Sequence, residues 1–237
     1  YRENAYKGER ALRKLGYAAS LACALCVLAA VFLSSFDMAA FLDIDYYGYE
    51  FEKNGSDNTT GFDSYRLENE AELLIDYMKL PDTGTLKRFE TSDFFNDREK
   101  IHMRDVRTIV RSAVTVRRAA LAAGFVLAVM LLIIGTDRRV IAGAFSVVFG
   151  TAIGMFILLS VVTAIDFDRA FVIFHKLFFN NDFWLFDPAE SRLINMVPER
   201  FFVDTSFRVC VIFLTISAAI FIYSHLAHRA DRHLKRG

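Results

Sequence analysis

Four stretches of this chain carry no Asp, Glu, Lys or Arg: residues 15–36, 119–134, 140–165 and 209–226. Charge-dense segments separate them. A soluble core tolerates scattered charges on every element, whereas a hydrocarbon slab roughly 30 Å thick demands about 20 consecutive apolar helical residues. The first and third runs meet that length. The second is short, about 16 residues or ~24 Å of helix. Extending it back to 114 brings Arg117 and Arg118 to the interface, where their stems can lie along the helix while the guanidinium groups reach water. The expected fold class is therefore an α-helical polytopic membrane protein with four spans at about 15–36, 114–134, 140–165 and 209–226. Arg10, Arg13 and Lys14 precede the first run as in a secretory signal, but the run exceeds the 7–15 apolar residues of such a signal and lacks an A-x-A cleavage site. It reads as an uncleaved anchor.

Basic residues set the expected orientation. The amino tail, the Asp137-Arg138-Arg139 turn and the carboxyl tail are short yet hold 11 of the 28 Lys and Arg residues, which predicts that all three are cytoplasmic. The two longer segments, about 37–113 and 166–208, would then be outer loops and carry most of the acidic residues. Formal charge is zero and no basic patch dominates, so neither a nucleic-acid binder nor a disordered tail is indicated. Cys23, Cys26 and Cys210 all fall within the spans, leaving the outer loops without a disulfide framework.

Within the first outer loop, the alternation of residues 41–52 suits an extended segment or hairpin arm. Residues 54–61 are turn material. Ser64 is placed to cap a helix carrying Leu67, Leu74 and Tyr77 or Met78 on one face and ending at Pro81. From Arg98 onward, Ile101, Val106, Ile109, Val110, Ala113 and Val114 recur at helical spacing, predicting one long helix that continues into the second span. In the second outer loop, residues 167–179 are aromatic, too short to span, and suited to an interfacial or re-entrant helix. Asn180-Asn181-Asp182 breaks that pattern and Asp187-Pro188 marks a turn. In the third span Gly150 and Gly154 form a G-x-x-x-G pair expected on a packing face.

The chain has five histidines. His225, His228 and His233 lie among Arg and Lys and read as a solvated basic tail. His102 and His175 lie on the expected outer side in apolar, aromatic surroundings bordered by carboxylates and amides, a setting suited to a shared titratable site. No G-x-S-x-G elbow is present, and serine or cysteine nucleophilic catalysis is disfavoured. H-E-x-x-H is absent; His102, Asp105 and His175 alone make a weak case for zinc, and no Gly-rich phosphate loop exists. No metal or cofactor is expected.

Around these two histidines the sequence resembles the lipoprotein intramolecular transacylase (Lit) family of bacterial four-span membrane proteins. Glu99-Lys100-Ile101-His102-Met103-Arg104-Asp105-Val106 is similar to that family's E-x-x-H-[LM]-x-D-V block. Phe174-His175-Lys176-Leu177-Phe178-Phe179-Asn180-Asn181-Asp182-Phe183-Trp184-Leu185-Phe186-Asp187-Pro188 resembles its F-H-x-x-F-F-x-N-x-x-W-x-x-D-P block. The resemblance continues through Leu193-Ile194, Pro198-Glu199 and Phe201-Phe202. It implies a reaction at the outer face of the bacterial cytoplasmic membrane. A diacylglyceryl lipoprotein donates its sn-2 acyl chain to the α-amino group of its own lipidated N-terminal cysteine, giving the lyso form. By the same resemblance His102 and His175 are the catalytic pair, and Asp105, Asn181, Trp184 and Asp187 are supporting residues. Each supporting residue has a plainer role open to it: a surface carboxylate, a helix cap, an interfacial anchor and a turn.

The residues fit such chemistry. An α-amino group with a pKa near 7.7–8.0 needs a base before it attacks an ester, and imidazole is matched to the task. Donor and acceptor lie on one substrate, so proximity supplies much of the rate and no acyl-enzyme is required. Which histidine is base and which is acid stays open at the level of sequence. The competing class is a non-enzymatic accessory or receptor protein whose outer loops bind a partner; it would leave the two histidines apart in unrelated packing contacts. A transporter is disfavoured because the spans contain no internal ionisable residue.

Overall fold

The computed structural model describes residues 2–81 and 83–234, with side chains for all of these except residues 2–5, 7, 9 and 231–234. Every regular element among the described residues is helical. In chain order they are α1 (Arg2–Phe41), α2 (Asp45–Asn54), α3 (Ser56–Thr60), α4 (Ser64–Lys79) and α5 (Thr83–Thr91), followed by α6 (Asp97–Ile134), α7 (Arg138–Ile165), α8 (Phe167–Phe178), α9 (Arg192–Met196) and α10 (Glu199–Leu234). Four of them, α1, α6, α7 and α10, are long and apolar enough to cross a membrane. The chain forms two compact units.

One unit comprises Tyr1–Ser35, Val116–Val162 and Cys210–Gly237, which hold the apolar parts of the four long helices. Small side chains let these helices approach. Ala19, Cys23 and Leu131 are buried together, with Leu127, Ile141 and Phe145 packed around them. Cys23 Sγ lies 3.5 Å from the Gly124 carbonyl oxygen, and a Cβ on Gly124 would meet Cys26 Cβ at 3.4 Å. In lipid, association of this kind rests on dispersion contacts rather than on the hydrophobic effect, and close approach is what maximises them. Phe32, Phe156 and Phe213 form an aromatic cluster with ring separations of 4.4–6.1 Å. Of the expected glycine pair, Gly150 is a packing position: a Cβ there would come within 2.9 Å of the Phe221 ring. Gly154 has open space instead. Gly135, at φ +69°, ends α6 in the left-handed conformation and turns the chain into α7.

The second unit comprises Phe36–Thr115 and Thr163–Val209. Its core gathers Phe51, Leu67, Ala71, Tyr77, Phe89, Phe94 and Met196, all nearly or fully excluded from solvent. The extended arm expected over residues 41–52 is a helix instead. Tyr47, Glu50 and Phe51 of α2 are buried one turn apart, so the aromatic residues follow a period of 3.6 rather than 2. Gly55 (φ +65°) closes α2 and Gly61 (φ +72°) closes the short α3, accounting for the turn composition of that stretch. The cap of α4 is Asp63, not Ser64: Asp63 Oδ1 accepts from Arg66 N at 2.8 Å, and Ser64 is the first helical residue. The predicted face of α4, Leu67, Leu74, Tyr77 and Met78, is buried. Tyr77 stacks on Phe89 of α5 with ring centroids 4.0 Å apart. Arg107 of α6 donates to the carbonyls of Tyr77 and Leu80, satisfying acceptors at the end of α4. As the spacing predicts, α6 is one unbroken helix from the charged residues near Asp97 through the apolar run to Ile134.

Candidate active site

His102 and His175 come together in the second unit. His102 sits in the charged first turns of α6, ahead of that helix's apolar run, and His175 in the last turn of α8. Their ring centroids are 5.9 Å apart with planes inclined by 30°. Both are buried, at 6% and 7% exposure. Aromatic rings enclose them. Phe179 and Phe186 lie 5.0 and 5.5 Å from His102; Phe171, Trp184 and Phe179 lie 4.1, 4.8 and 5.5 Å from His175.

The two imidazoles differ in their hydrogen bonds. His175 Nδ1 is 2.8 Å from the Phe171 carbonyl oxygen. A carbonyl only accepts, so in neutral His175 the hydrogen sits on Nδ1 and the lone pair on Nε2. His102 Nδ1 is buried with no hydrogen-bond partner. Their electrostatics follow. Burial among aromatic rings pushes His102 down to about 4, reinforced by the neighbouring His175 and opposed by the Asp105 carboxylate. Burial also lowers His175, while the bond to Phe171 acts in the opposite direction.

The expected supporting residues divide. Asp105 does not bond to His102; its Oδ2 accepts from Asn181 Nδ2 at 2.9 Å, which ties α6 to the loop after α8. Asn181 is a hub: Oδ1 accepts from Phe183 N at 3.1 Å, and its carbonyl accepts from Trp184 Nε1 at 2.9 Å. Trp184 is therefore fixed at both ends, its indole N–H on Asn181 and its ring against His175, and it is 7% exposed rather than set out as an anchor. Asp187 serves a turn, accepting from Ala189 N through Oδ1 and from Glu190 N and Ser191 N through its carbonyl.

A residue of the first block that sequence reasoning left without a role proves central. Glu99, one turn before His102, is fully buried. Its Oε1 accepts from Ser191 Oγ at 2.6 Å and Leu193 N at 2.7 Å, while Oε2 accepts from Asn96 N at 2.7 Å. Buried carboxylates persist where several donors replace lost water, and here they lock the start of α6 to the loop entering α9. The signal in the sequence was position alone: three residues before a histidine on one helix face.

Among the described residues no group of three or more His, Cys, Asp or Glu side chains is able to hold a metal ion. Of the remaining histidines, His225 and His228 are half-buried, not solvated: His225 Nδ1 is 3.2 Å from Ser146 Oγ and His228 Nδ1 is 3.0 Å from the Arg139 carbonyl oxygen. The side chain of His233 lies outside the described residues.

A comparison with curated proteins finds no match. Solved structures of the membrane integral lipoprotein intramolecular transacylase Lit from Bacillus cereus share the fold. One has a TM-score of 0.79 at 22% identity over 93% of this chain and 99% of that one. Two variants of it, with a histidine replaced by arginine or by alanine, give TM-scores of 0.72 and 0.74 at 23% and 22% identity, covering 98% and 97% of this chain and 98% and 99% of theirs. The family model for lipoprotein intramolecular transacylase Lit matches residues 21–202, a stretch that includes both histidine blocks. The chain thus belongs to the Lit family of lipoprotein intramolecular transacylases.

Proposed function

We propose that this protein moves the sn-2 acyl chain of a diacylglyceryl-modified lipoprotein to the α-amino group of that lipoprotein's N-terminal cysteine, with His175 as proton carrier and His102 as electrophile. The observation that carries the reading is the unequal pair of imidazoles 5.9 Å apart in one aromatic enclosure. At that separation both imidazoles can reach one reacting group placed at their shared edge, whereas two unrelated packing contacts would not converge. Family membership supports the substrate class.

The two roles follow from protonation. His175 presents an Nε2 lone pair, held in that tautomer by Phe171, and takes a proton from the amine, bound in its neutral form after releasing one proton to solvent, as its nitrogen attacks the ester carbonyl carbon. The new C–N bond forms a tetrahedral intermediate. His102, whose pKa near 4 keeps it neutral at physiological pH, offers an N–H to the developing oxyanion rather than releasing a proton. As the carbon–oxygen bond to glycerol breaks, protonated His175 returns its proton to the leaving glyceryl oxygen. The proton count closes with no acyl-enzyme. Asp105, Asn181 and Trp184 act as positioning residues, with the Asp105–Asn181 bond and the Trp184 ring holding the α8 side of the site against α6.

Four spans at about 15–36, 114–134, 140–165 and 209–226, with cytoplasmic ends and outer loops at about 37–113 and 166–208, would put this site at the outer leaflet, where lipoproteins carry their diacylglyceryl group. The exposed apolar residues of α8, Ile173, Phe174, Leu177 and Phe178, suit a helix in the membrane interface that guides the acyl chain. Mass spectrometry of the N-terminal lipopeptide from a lipoprotein co-expressed with this chain, in a host lacking N-acylation, tests the reading. Diacylglyceryl-cysteine should convert to the N-acyl lyso form with wild-type protein and not with His175→Ala. An unchanged diacyl lipopeptide beside well-expressed wild type would favour the partner-binding alternative.

A further inference from the structure

The unit formed by the long helices contains a cavity of about 610 Å³, lined by α1, the start of α7 and the later turns of α10. Its size falls within the range of ligand sites, and its lining is both charged and apolar. Its lining carries Arg13, Arg139, His225 and His228, with Asp137 as the single carboxylate among the described residues. Val140, Ala144 and Val147 of α7, together with Tyr17, supply its apolar lining.

Several features mark this as a formed recess. Ser146 Oγ bonds to His225 Nδ1, and the His225 ring stacks on Phe221 at 5.5 Å. His228 is held by the Arg139 carbonyl and presses so close to α7 that a Cβ on Gly143 would lie 3.1 Å from its Nδ1. Asp137 spends Oδ1 on the backbone N–H of Arg139 and its carbonyl on Val140 N and Ile141 N, capping the first turn of α7. Above the recess, α7 presents Val147, Met155 and Leu158 outward at 61%, 68% and 66% exposure, a surface suited to acyl chains.

We infer that this recess binds the phosphodiester headgroup of an anionic phospholipid, with the phosphate on Arg13 and Arg139 and an acyl chain along Val140 and Val147. Charge selects the headgroup, since among the described lining residues two guanidinium groups outnumber the one carboxylate, and planar guanidinium donors match phosphate oxygens. The apolar wall continuous with the lipid-facing surface selects a membrane lipid over a soluble phosphate. The inference does not rest on the transacylase reading.

Native mass spectrometry of the full chain in detergent, titrated separately with phosphatidylglycerol, phosphatidylcholine and glycerol phosphate, tests it. Wild type should hold one phosphatidylglycerol at concentrations at least about tenfold below those giving a phosphatidylcholine adduct, with no glycerol phosphate adduct in that range. Arg13→Ala with Arg139→Ala should erase the preference. Val147→Trp, which fills the apolar wall and leaves both arginines, should weaken phosphatidylglycerol binding about tenfold and so tests the site without altering its charge. Equal binding of the two lipids, an adduct unchanged in both variants, or glycerol phosphate binding as tightly as the lipid would overturn the proposal.

Discussion

His175 donates its Nδ1–H to the carbonyl oxygen of Phe171, one turn earlier on the same helix, at 2.8 Å. That single bond separates the two faces of the imidazole: Nδ1 is structural and Nε2 is left for chemistry. Asparagine places its amide nitrogen close to where histidine carries Nδ1. His175→Asn should therefore keep the bond to Phe171, fold with a melting temperature near that of wild type, and still lose activity by about 10²–10⁴, the span attributed to a general base. The rate of lyso-lipopeptide formation measures it, and retained activity in His175→Asn would remove Nε2 from the mechanism.

Burial gives His102 a stability signature. Its folded-state pKa of about 4 lies below the ordinary 6.5, so between those values the unfolded chain takes up a proton that the folded chain refuses. The contribution is fully present above pH 6.5 and is lost as pH falls through 6.5 toward 4, by up to roughly 3 kcal/mol. His102→Phe, which fills the site without a titrating group, should lose less stability than wild type when the pH drops from 7.5 to 4.5. Thermal melts of the two proteins at both pH values measure the difference. Parallel loss in the two would mean that His102 titrates freely.

Glu99 accepts three hydrogen bonds in a site without solvent, two of them from the segment around Ser191 and Leu193. Glu99→Gln retains the shape but aims an N–H toward a donor and removes charge assistance, which should cost about 2–4 kcal/mol. Because the bonds fix the turn of α6 that precedes His102, activity should fall further than stability predicts at a permissive temperature. Chemical denaturation paired with the lipopeptide assay separates the two effects. An equally stable variant would show that the loop entering α9 holds without Glu99.

The features legible in the sequence are those governed by one-dimensional rules. The apolar runs, the continuous α6, the buried face of α4 and the pairing of the two histidine blocks follow from periodicity or from motif. Long-range partners were not legible. Nothing in the spacing of residues 41–52 reveals that Tyr47 and Phe51 have Phe201 and Met196 as core neighbours, and that burial selects helix over strand. Glu99 is an ordinary exposed glutamate until Ser191 and Leu193 arrive from far along the chain. His225 and His228 look like tail residues because charge density around them is high, while the Ser146 hydroxyl and the Arg139 carbonyl that hold them come from another helix.

The choice of cap on α4 is a local rule that two neighbouring residues satisfy. Asp63 is extended (φ −69°, ψ 161°) and makes the bond to Arg66 N, whereas Ser64 is already helical. Asp63→Ala should destabilise the protein by about 1 kcal/mol and Ser64→Ala by much less. Denaturant midpoints for the two variants decide between the positions, and a larger loss for Ser64→Ala would restore the serine as cap.

Trp184 is the single tryptophan of the chain, and its ring lies 4.8 Å from His175. An imidazolium against an indole quenches its fluorescence, and neutral imidazole does so weakly, so emission should report the protonation state of His175 directly. With the His175 pKa lowered by burial, the midpoint of the emission change should fall below the ordinary imidazole value of about 6.5. The same midpoint should bound the acidic limb of activity, because the base must be neutral to accept the amine proton. In His175→Asn the emission change should vanish while the acid limit set by global unfolding remains. A fluorescence midpoint at or above 6.5 would show that His175 is solvated in solution, and a midpoint unaltered by His175→Asn would assign the quenching to another group.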